Sequence, residues 1–216
     1  VRPVAVLRPE PGNAATCARV ADRGWPALAL PLFAIRPLAW SPPDAAAFDA
    51  LLLTSANAAR HGGDQLRALA ALPVVAVGEA TAAAARGAGL TVELTGNGDA
   101  ISATAMARAH GLPRLLHLGG RERRSLPDVL SIAVYASEAL DDVDAAPLAG
   151  SLALLHSPRA ASRLAGLVAE PIRRTIALAA ISPAASAVAG TGWQALATAS
   201  APTDAALLDA AARLLD

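Results

Sequence analysis

LLLTSANAARH, residues 51–61, decides how the chain is read. Leu51, Leu52 and Leu53 have the length of a short buried strand, Thr54 and Ser55 break the run, and the five residues that follow fit the start of a helix. Ser55 is a suitable N-cap, because its hydroxyl can accept from a backbone N–H of the first helical turn. A strand that turns at once into a helix leaves N–H groups, here those of Ala56 and Asn57, and a positive dipole end at the sheet edge. That suits an anion such as a carboxylate.

The same arrangement recurs in LALLHSPRAASRL, residues 152–164, with Ser157 as the break and Pro158 at the first helical position. VVAVGEATAAAARGAGL, residues 74–90, is matched by IALAAISPAASAVAGTGW, residues 176–193. Asp99 opens one later helix and Asp204 opens another. All three pairs share an offset of roughly 102 to 105 residues, which marks a duplicated unit. Between these landmarks strands alternate with helices and no hairpin signal appears. The fold class is therefore α/β, with parallel sheets, helices on both faces and strand-end loops gathered on one edge.

Several local readings follow. Asn13 is placed to cap a helix that Gly24 stops, and Asp44 opens a short helix over 44–50. Residues 65–71 and 125–130 read as helical. Residues 31–43 are punctuated by proline and read as a crossing from one domain to another, and residues 137–147 as the crossing back.

Composition narrows the chemistry. The 216 residues suffice for two small α/β domains, 54 % of them are hydrophobic and only 3 % aromatic, so the cores are small-residue and helix-rich. Zero formal net charge gives no reason to expect nucleic acid or an anionic membrane surface. All 18 basic residues are arginine, which removes Schiff-base lysine chemistry and the P-loop lysine. Cys17 is alone, so neither a disulfide framework nor a thiolate zinc site is available, and a reducing cytoplasm fits. The stretch VRPVAVLRPEPG at the N-terminus reads as a short strand rather than a signal peptide. Residues 175–203 carry no charge beyond the arginine that precedes them, but Pro183, Gly190, Gly192 and Pro202 interrupt them, so strand, turn, helix, turn and strand is the better reading than a membrane span.

The ordered blocks RPEPGNAATCARVADRGWPALALPLFAIRPL, LLLTSANAAR, AVGEATAAAARGAGL, the loop at Gly120 and Arg121, VYASEA, LLHSPRAA, AISPAASAVAGTGW and ASAPTDAALLDA are similar to those of the uroporphyrinogen-III synthases. The resemblance covers nearly the whole chain. It implies two α/β domains related by the repeat, the first from residues 1–33 plus 142–216 and the second, inserted, from 41–133. Residues 34–40 and 134–141 would form a two-strand linker, with the active-site cleft between the domains. It also implies a cytoplasmic monomer, a cyclising hydro-lyase of porphyrin and heme biosynthesis, with no cofactor and no metal. The substrate would be hydroxymethylbilane, a linear tetrapyrrole with eight carboxylates, closed with inversion of its last ring to uroporphyrinogen III. A transient handover from the preceding pathway enzyme is a further expectation.

Such a reaction asks little of a protein nucleophile. The substrate loses its hydroxyl as water and becomes a cation that closes unaided to the wrong isomer. The catalyst must fold the chain, hold the last ring so that its substituted carbon attacks, and exclude water. Backbone N–H groups at helix starts, with hydroxyls, can hold many carboxylates without a large positive charge.

On this resemblance Tyr135, the only tyrosine, matches the family's linker tyrosine and would assist hydroxyl departure as a proton or hydrogen-bond donor. Thr81 corresponds to a hydroxyl after the Val-Gly turn at Gly78. Both have plainer readings, a hydroxyl tied to backbone and a cap or packed threonine. The substrate-binding set adds Ser55, Ala56, Asn57, Ser157 and Pro158, with ordinary capping as the plain alternative. Ser182 or Ser186 would stand in for a threonine pair that the second copy lacks at Ala184 and Ala185. Arg8 follows the first strand, where an arginine could meet a propionate, with a solvated surface arginine as the plain alternative. Gly120 and Arg121 would approach the substrate, whereas Arg123 and Arg124 read as a solvated charge run. His61, His110, His117 and His156 share no metal spacing. The competing readings are a non-catalytic two-domain module for a carboxylate ligand, a nucleotide-dependent transferase, which the absence of G-x-G-x-x-G argues against, and an inactive paralogue.

Overall fold

A computed structural model describes residues 2–123 and 125–215. In chain order the elements are β1 (Val4–Val6), α1 (Gly12–Asp22), β2 (Ala27–Ala29), β3 (Phe33–Pro37), β4 (Ala50–Leu53), α2 (Ala56–His61), β5 (Val74–Ala76), α3 (Glu79–Gly87), β6 (Val92–Thr95), α4 (Ala100–Ala109), β7 (Leu115–Gly120) and β8 (Leu130–Ala139). Then follow β9 (Leu152–Leu155), α5 (Pro158–Leu167), α6 (Glu170–Arg173), β10 (Ala177–Ala180), α7 (Pro183–Ala189), β11 (Ala195–Thr198) and α8 (Asp204–Leu215). The chain divides into two compact units: one takes both chain ends, up to Ala34 and from Ala139, and the other is the stretch Ile35–Glu138.

In the unit built from both ends, a five-stranded sheet runs β11-β10-β9-β1-β2. Its pairs are parallel, with Val4 opposite both Ala27 and Leu152. The strands are short runs of leucine, valine and alanine because both faces are covered, as parallel sheets require. Alternate residues go to opposite sides. Ala5, Leu7, Ala153, Leu155 and Leu178 pack with α5 and α7, while Val4, Val6, Leu152, Leu154 and Ala177 pack with α1 and α8. Small alanines at Ala160, Ala161 and Ala185 let α5 and α7 approach the sheet closely.

The inserted unit has a six-stranded sheet of order β3-β8-β7-β4-β5-β6. Its pairs β8-β7, β7-β4, β4-β5 and β5-β6 are parallel. Leu51, Leu53, Ala76, Leu116 and Leu118 face α2 and α3, and Ala50, Leu52, Val75 and Leu115 face α4. β3 and the later part of β8 cover residues that the resemblance assigns to linker strands rather than to a parallel sheet. Leu38 N–H donates to Val134 O at 3.0 Å and Leu140 N–H to Leu32 O at 3.1 Å, so one strand descends as the other rises, the mark of an antiparallel pair.

The chemistry of particular residues corrects four local expectations. Asn13 does not cap α1. It lies inside the helix, buried, and its amide donates to Val6 O at 2.7 Å and Arg8 O at 3.0 Å, tying the helix to the end of β1. The helix expected over 125–130 is absent: Pro127 is followed by Asp128 at φ 57°, a left-handed conformation that no α-helix accommodates, and β8 begins at Leu130. Residues Asp64–Leu69 and Ala45–Ala47 form 3-10 rather than α turns, the second capped by the Asp44 carboxylate on Ala46 N–H. The uncharged run 175–203 folds into β10, α7 and β11, and among the described residues no helix is long and apolar enough to cross a membrane.

Candidate functional site

Parallel pairing brings the ends of adjacent strands to one edge, and the sequence-predicted residues lie there in two groups. In the inserted unit the neighbouring strands β7, β4 and β5 end at Gly120, Leu53 and Ala76. Ser55 caps α2, its hydroxyl accepting from Asn57 N–H at 3.2 Å, and Ala56 opens the helix. Gly78 holds the cap position of α3 in extended backbone, and its carbonyl accepts from Thr81 N–H at 3.0 Å. Thr81 is buried, only 5 % exposed, and its hydroxyl makes no hydrogen bond among the described residues.

Gly120 and Tyr135 are in direct contact. A Cβ at Gly120 would stand 3.0 Å from two carbons of the Tyr135 ring and 3.2 Å from its hydroxyl, so only glycine leaves the ring its place. The backbone fixes the pair, with Arg121 N–H donating to Tyr135 O at 2.8 Å. Tyr135 is half-buried, its ring 6.4 Å from that of His61, and its hydroxyl has no hydrogen-bond partner among the described residues. The reading in which that hydroxyl is tied to backbone is therefore not what the geometry gives. His61 titrates below its ordinary value, through burial first and then the neighbouring Arg60. Arg121 is half-exposed and faces two carboxylates, Glu122 at 3.1 Å and Glu138 at 3.7 Å.

Arg123 is not a solvated charge. Its guanidinium donates to Gly120 O at 3.1 Å and Ser131 O at 2.7 Å, holding the start of the loop after β7. Arg124 lies outside the described residues. Next to this loop His117, 1 % exposed, bridges two hydroxyls: Nε2 is 2.8 Å from Thr54 Oγ1 and Nδ1 is 3.0 Å from Ser131 Oγ. Burial, with Arg123 second, pushes its pKa down to about 4, so the ring is neutral at pH 7.

The second group sits on the neighbouring strands β10, β9 and β1 of the other unit. Ser157 caps α5 by accepting from Ala160 N–H at 3.1 Å, with Pro158 in the first turn. Ser182 caps α7 by accepting from Ala185 N–H at 3.3 Å. Ser186 is turned elsewhere, 2.6 Å from Thr198 Oγ1 on β11. Arg8 is already engaged: Nη1 lies 3.1 Å from Asp204 Oδ1 and 3.5 Å from Thr16 Oγ1.

Asp204, which the sequence shows only as a helix start, is the centre of this group. Its Oδ2 accepts from Thr16 at 2.8 Å and Arg19 at 2.7 Å, and His156 Nε2 stands 3.4 Å from Oδ1. The carboxyl is held far below the ordinary carboxylate range, by His156 first, then by the Thr16 hydroxyl and the Arg8 charge, against the opposing effect of burial. At 3.4 Å the His156 contact is a polar approach rather than a formed hydrogen bond, and neither ring nitrogen has a hydrogen-bond partner among the described residues. No group of three His, Cys, Asp or Glu side chains among the described residues could hold a metal ion.

Comparison with known proteins places these edges in a family. No curated protein matches the chain. The solved structures similar to it include three of Thermus thermophilus. Wild-type uroporphyrinogen III synthase of the extremely thermophilic bacterium Thermus thermophilus is 17 % identical, with 100 % of each chain covered and a TM-score of 0.41. A second structure of a Thermus thermophilus uroporphyrinogen III synthase is 16 % identical, with 100 % of each covered and a TM-score of 0.41. A mutant form of the Thermus thermophilus protein is 17 % identical, covering 100 % of this chain and 99 % of that one, with a TM-score of 0.47. The family model described as uroporphyrinogen-III synthase HemD matches residues 14–209, all but the two ends. By that match the chain belongs to the uroporphyrinogen-III synthase family.

Proposed function

We propose that the protein is a uroporphyrinogen-III synthase, a cyclising hydro-lyase of heme biosynthesis that acts on hydroxymethylbilane. The observation that carries this reading is the family match over residues 14–209. The product is the substrate less one water. One proton therefore reaches the departing hydroxyl; the substituted carbon that attacks carries no hydrogen, so its older methylene bond breaks and re-forms at the unsubstituted carbon of the same ring, which releases the second proton. In this reading the units are duplicated copies joined by a two-strand linker over residues 34–40 and 134–141. The N–H groups at Ala56, Asn57, Gly78 and the start of α5, with the Ser55, Ser157 and Ser182 hydroxyls and the Arg8 and Arg121 guanidiniums, take the carboxylates of the tetrapyrrole.

Tyr135 is the donor to the departing hydroxyl, supported by its unpartnered hydroxyl and by the glycine that makes room for its ring. Thr81 presents the second hydroxyl. Because the cation forms readily, orientation and water exclusion supply most of the selectivity, and loss of Tyr135 slows the reaction without abolishing it. The enzyme works as a cytoplasmic monomer without a cofactor and receives its unstable substrate by transient handover from the preceding enzyme.

The test is an isomer assay. Freshly generated hydroxymethylbilane is incubated with and without the protein, the products are oxidised, and uroporphyrins I and III are separated. Isomer III formed faster than spontaneous closure is expected, with Tyr135→Phe slower by about tenfold or more, less than the roughly 10²–10⁴-fold usual for a positioned proton donor because the cation forms readily. Isomer I alone at the background rate overturns the reading. Retained tetrapyrrole binding would then mark a non-catalytic carboxylate-binding module or an inactive paralogue.

A further inference from the structure

The register of β7 against β8 slips by one residue where Tyr135 stands. Gly119 pairs with Ala133 but Gly120 with Tyr135, which leaves Val134 as the extra residue of a bulge. Successive side chains of a regular strand point to opposite faces. Here Val134 and Tyr135 both pack on the core cluster that faces α2 and α3, so the bulge turns the tyrosine onto its neighbour's face. A bulge that re-aims a side chain also disrupts the ladder around it. Gly120, whose missing Cβ gives the ring its place, thus stands where the strand pairing is weakest.

Arg123 spans that break. Its Nη1 donates to Gly120 O on β7 at 3.1 Å and its Nη2 to Ser131 O on β8 at 2.7 Å. A guanidinium suits this bridge because it is always charged and carries its donors in a rigid fork. Gly119 leaves room for the arginine stem, since a Cβ there would stand 3.1 Å from Arg123 Cδ. The peptide unit that joins Gly120 to Arg121 is therefore pinned from both sides. Its N–H donates to Tyr135 O at 2.8 Å, and its carbonyl accepts from Arg123.

We infer that Arg123 is the positioning residue for the Tyr135 hydroxyl: by holding this peptide across the bulge it sets where the tyrosine ring stands against Gly120. The inference rests on the synthase reading, in which Tyr135 donates to the departing hydroxyl. It predicts a loss in kcat with KM little changed, because that donation strengthens only as the hydroxyl leaves.

Wild-type protein, Arg123→Met, Arg123→Lys, Tyr135→Phe and the double variant R123M/Y135F are compared in the isomer assay with steady-state kinetics, each below its own unfolding transition. Tyr135 is the only tyrosine, so 3-fluorotyrosine gives one fluorine resonance that reports its ring in the wild type and in both Arg123 variants. Arg123→Met is expected to lower kcat about tenfold with KM within about twofold, the order for a displacement well short of the ångström that costs about a hundredfold. Arg123→Lys keeps the charge but not the fork, and its kcat falls between the two. The double variant is no slower than Tyr135→Phe alone, since both changes act on one hydroxyl, and the fluorine resonance moves in Arg123→Met. An unchanged kcat or an unmoved resonance in Arg123→Met overturns the inference while the wild type still makes isomer III. So does a double variant slower than Tyr135→Phe by the full factor seen in Arg123→Met. If the wild type itself makes only isomer I, the synthase reading fails and this inference falls with it. If Arg123→Met does not fold, the kcat and the fluorine resonance of Arg123→Lys decide.

Discussion

Asp204 binds residues from three distant parts of the chain: Arg8 after β1, Thr16 and Arg19 on α1, and His156 after β9. Its side chain is only 15 % exposed. Its folded pKa lies below the unfolded one, so the ionised form is favoured by folding. The resulting stability is present in full above the ordinary carboxylate range and is lost as pH falls through and below it. Asp204→Asn should cost roughly 2 kcal/mol at pH 7, a gap that closes below about pH 4. Urea unfolding of both proteins across pH reads this, and a gap that widened toward acid would refute it. The cluster was hidden in the sequence because its partners lie 188 and 196 residues away and no local spacing links them. Tyr135 was visible because it is the only tyrosine, whereas the glycine that admits its ring could be named only as a loop residue.

Elements were legible where the signal is local. A helix cap needs only a hydroxyl or carboxylate one to three residues ahead of an N–H, and Ser55, Asp99, Ser157 and Ser182 each make that bond. Removing the Ser157 hydroxyl as Ser157→Ala should therefore cost about 1 kcal/mol and Ser157→Gly only a few tenths, read by thermal unfolding. The alternation of strand and helix was legible for the same reason, since four-residue strands such as β9 and β10 carry the uninterrupted apolar runs that two-sided burial demands. The loop after β7 was not. Leu126 and Val129 supply apolar residues at helical spacing, but they serve one core cluster from a turn that Asp128 bends into left-handed backbone. At the same junction Gly120→Ala would press on the Tyr135 ring from 3.0 Å. Turnover should fall roughly tenfold, since the ring must give way by a few tenths of an ångström where a full ångström of misplacement costs about a hundredfold, with the melting temperature little changed. Unaltered turnover would show that the ring has room to move.

For the molecule as a whole, the two units differ in how the chain supplies them. The stretch Ile35–Glu138 is continuous, holds most of a six-stranded sheet and has core clusters on both faces. Expressed alone it should unfold in one cooperative urea transition, and a broad non-cooperative loss of signal would show that it needs the rest of the chain. The other unit is made of two stretches far apart in the chain. In its sheet β1 lies between β2 and β9, with Val4 opposite Leu152. A ribosome adding roughly 5–20 residues each second delivers β9 on the order of ten seconds after β1. For that interval Val4, Ala5 and Val6 have one flank with nothing to pair with, while the segment behind them can already fold. The order of synthesis thus leaves the first strand open on one side until more than two thirds of the chain has been made, and a chaperone or a slow stretch of translation would have its effect there.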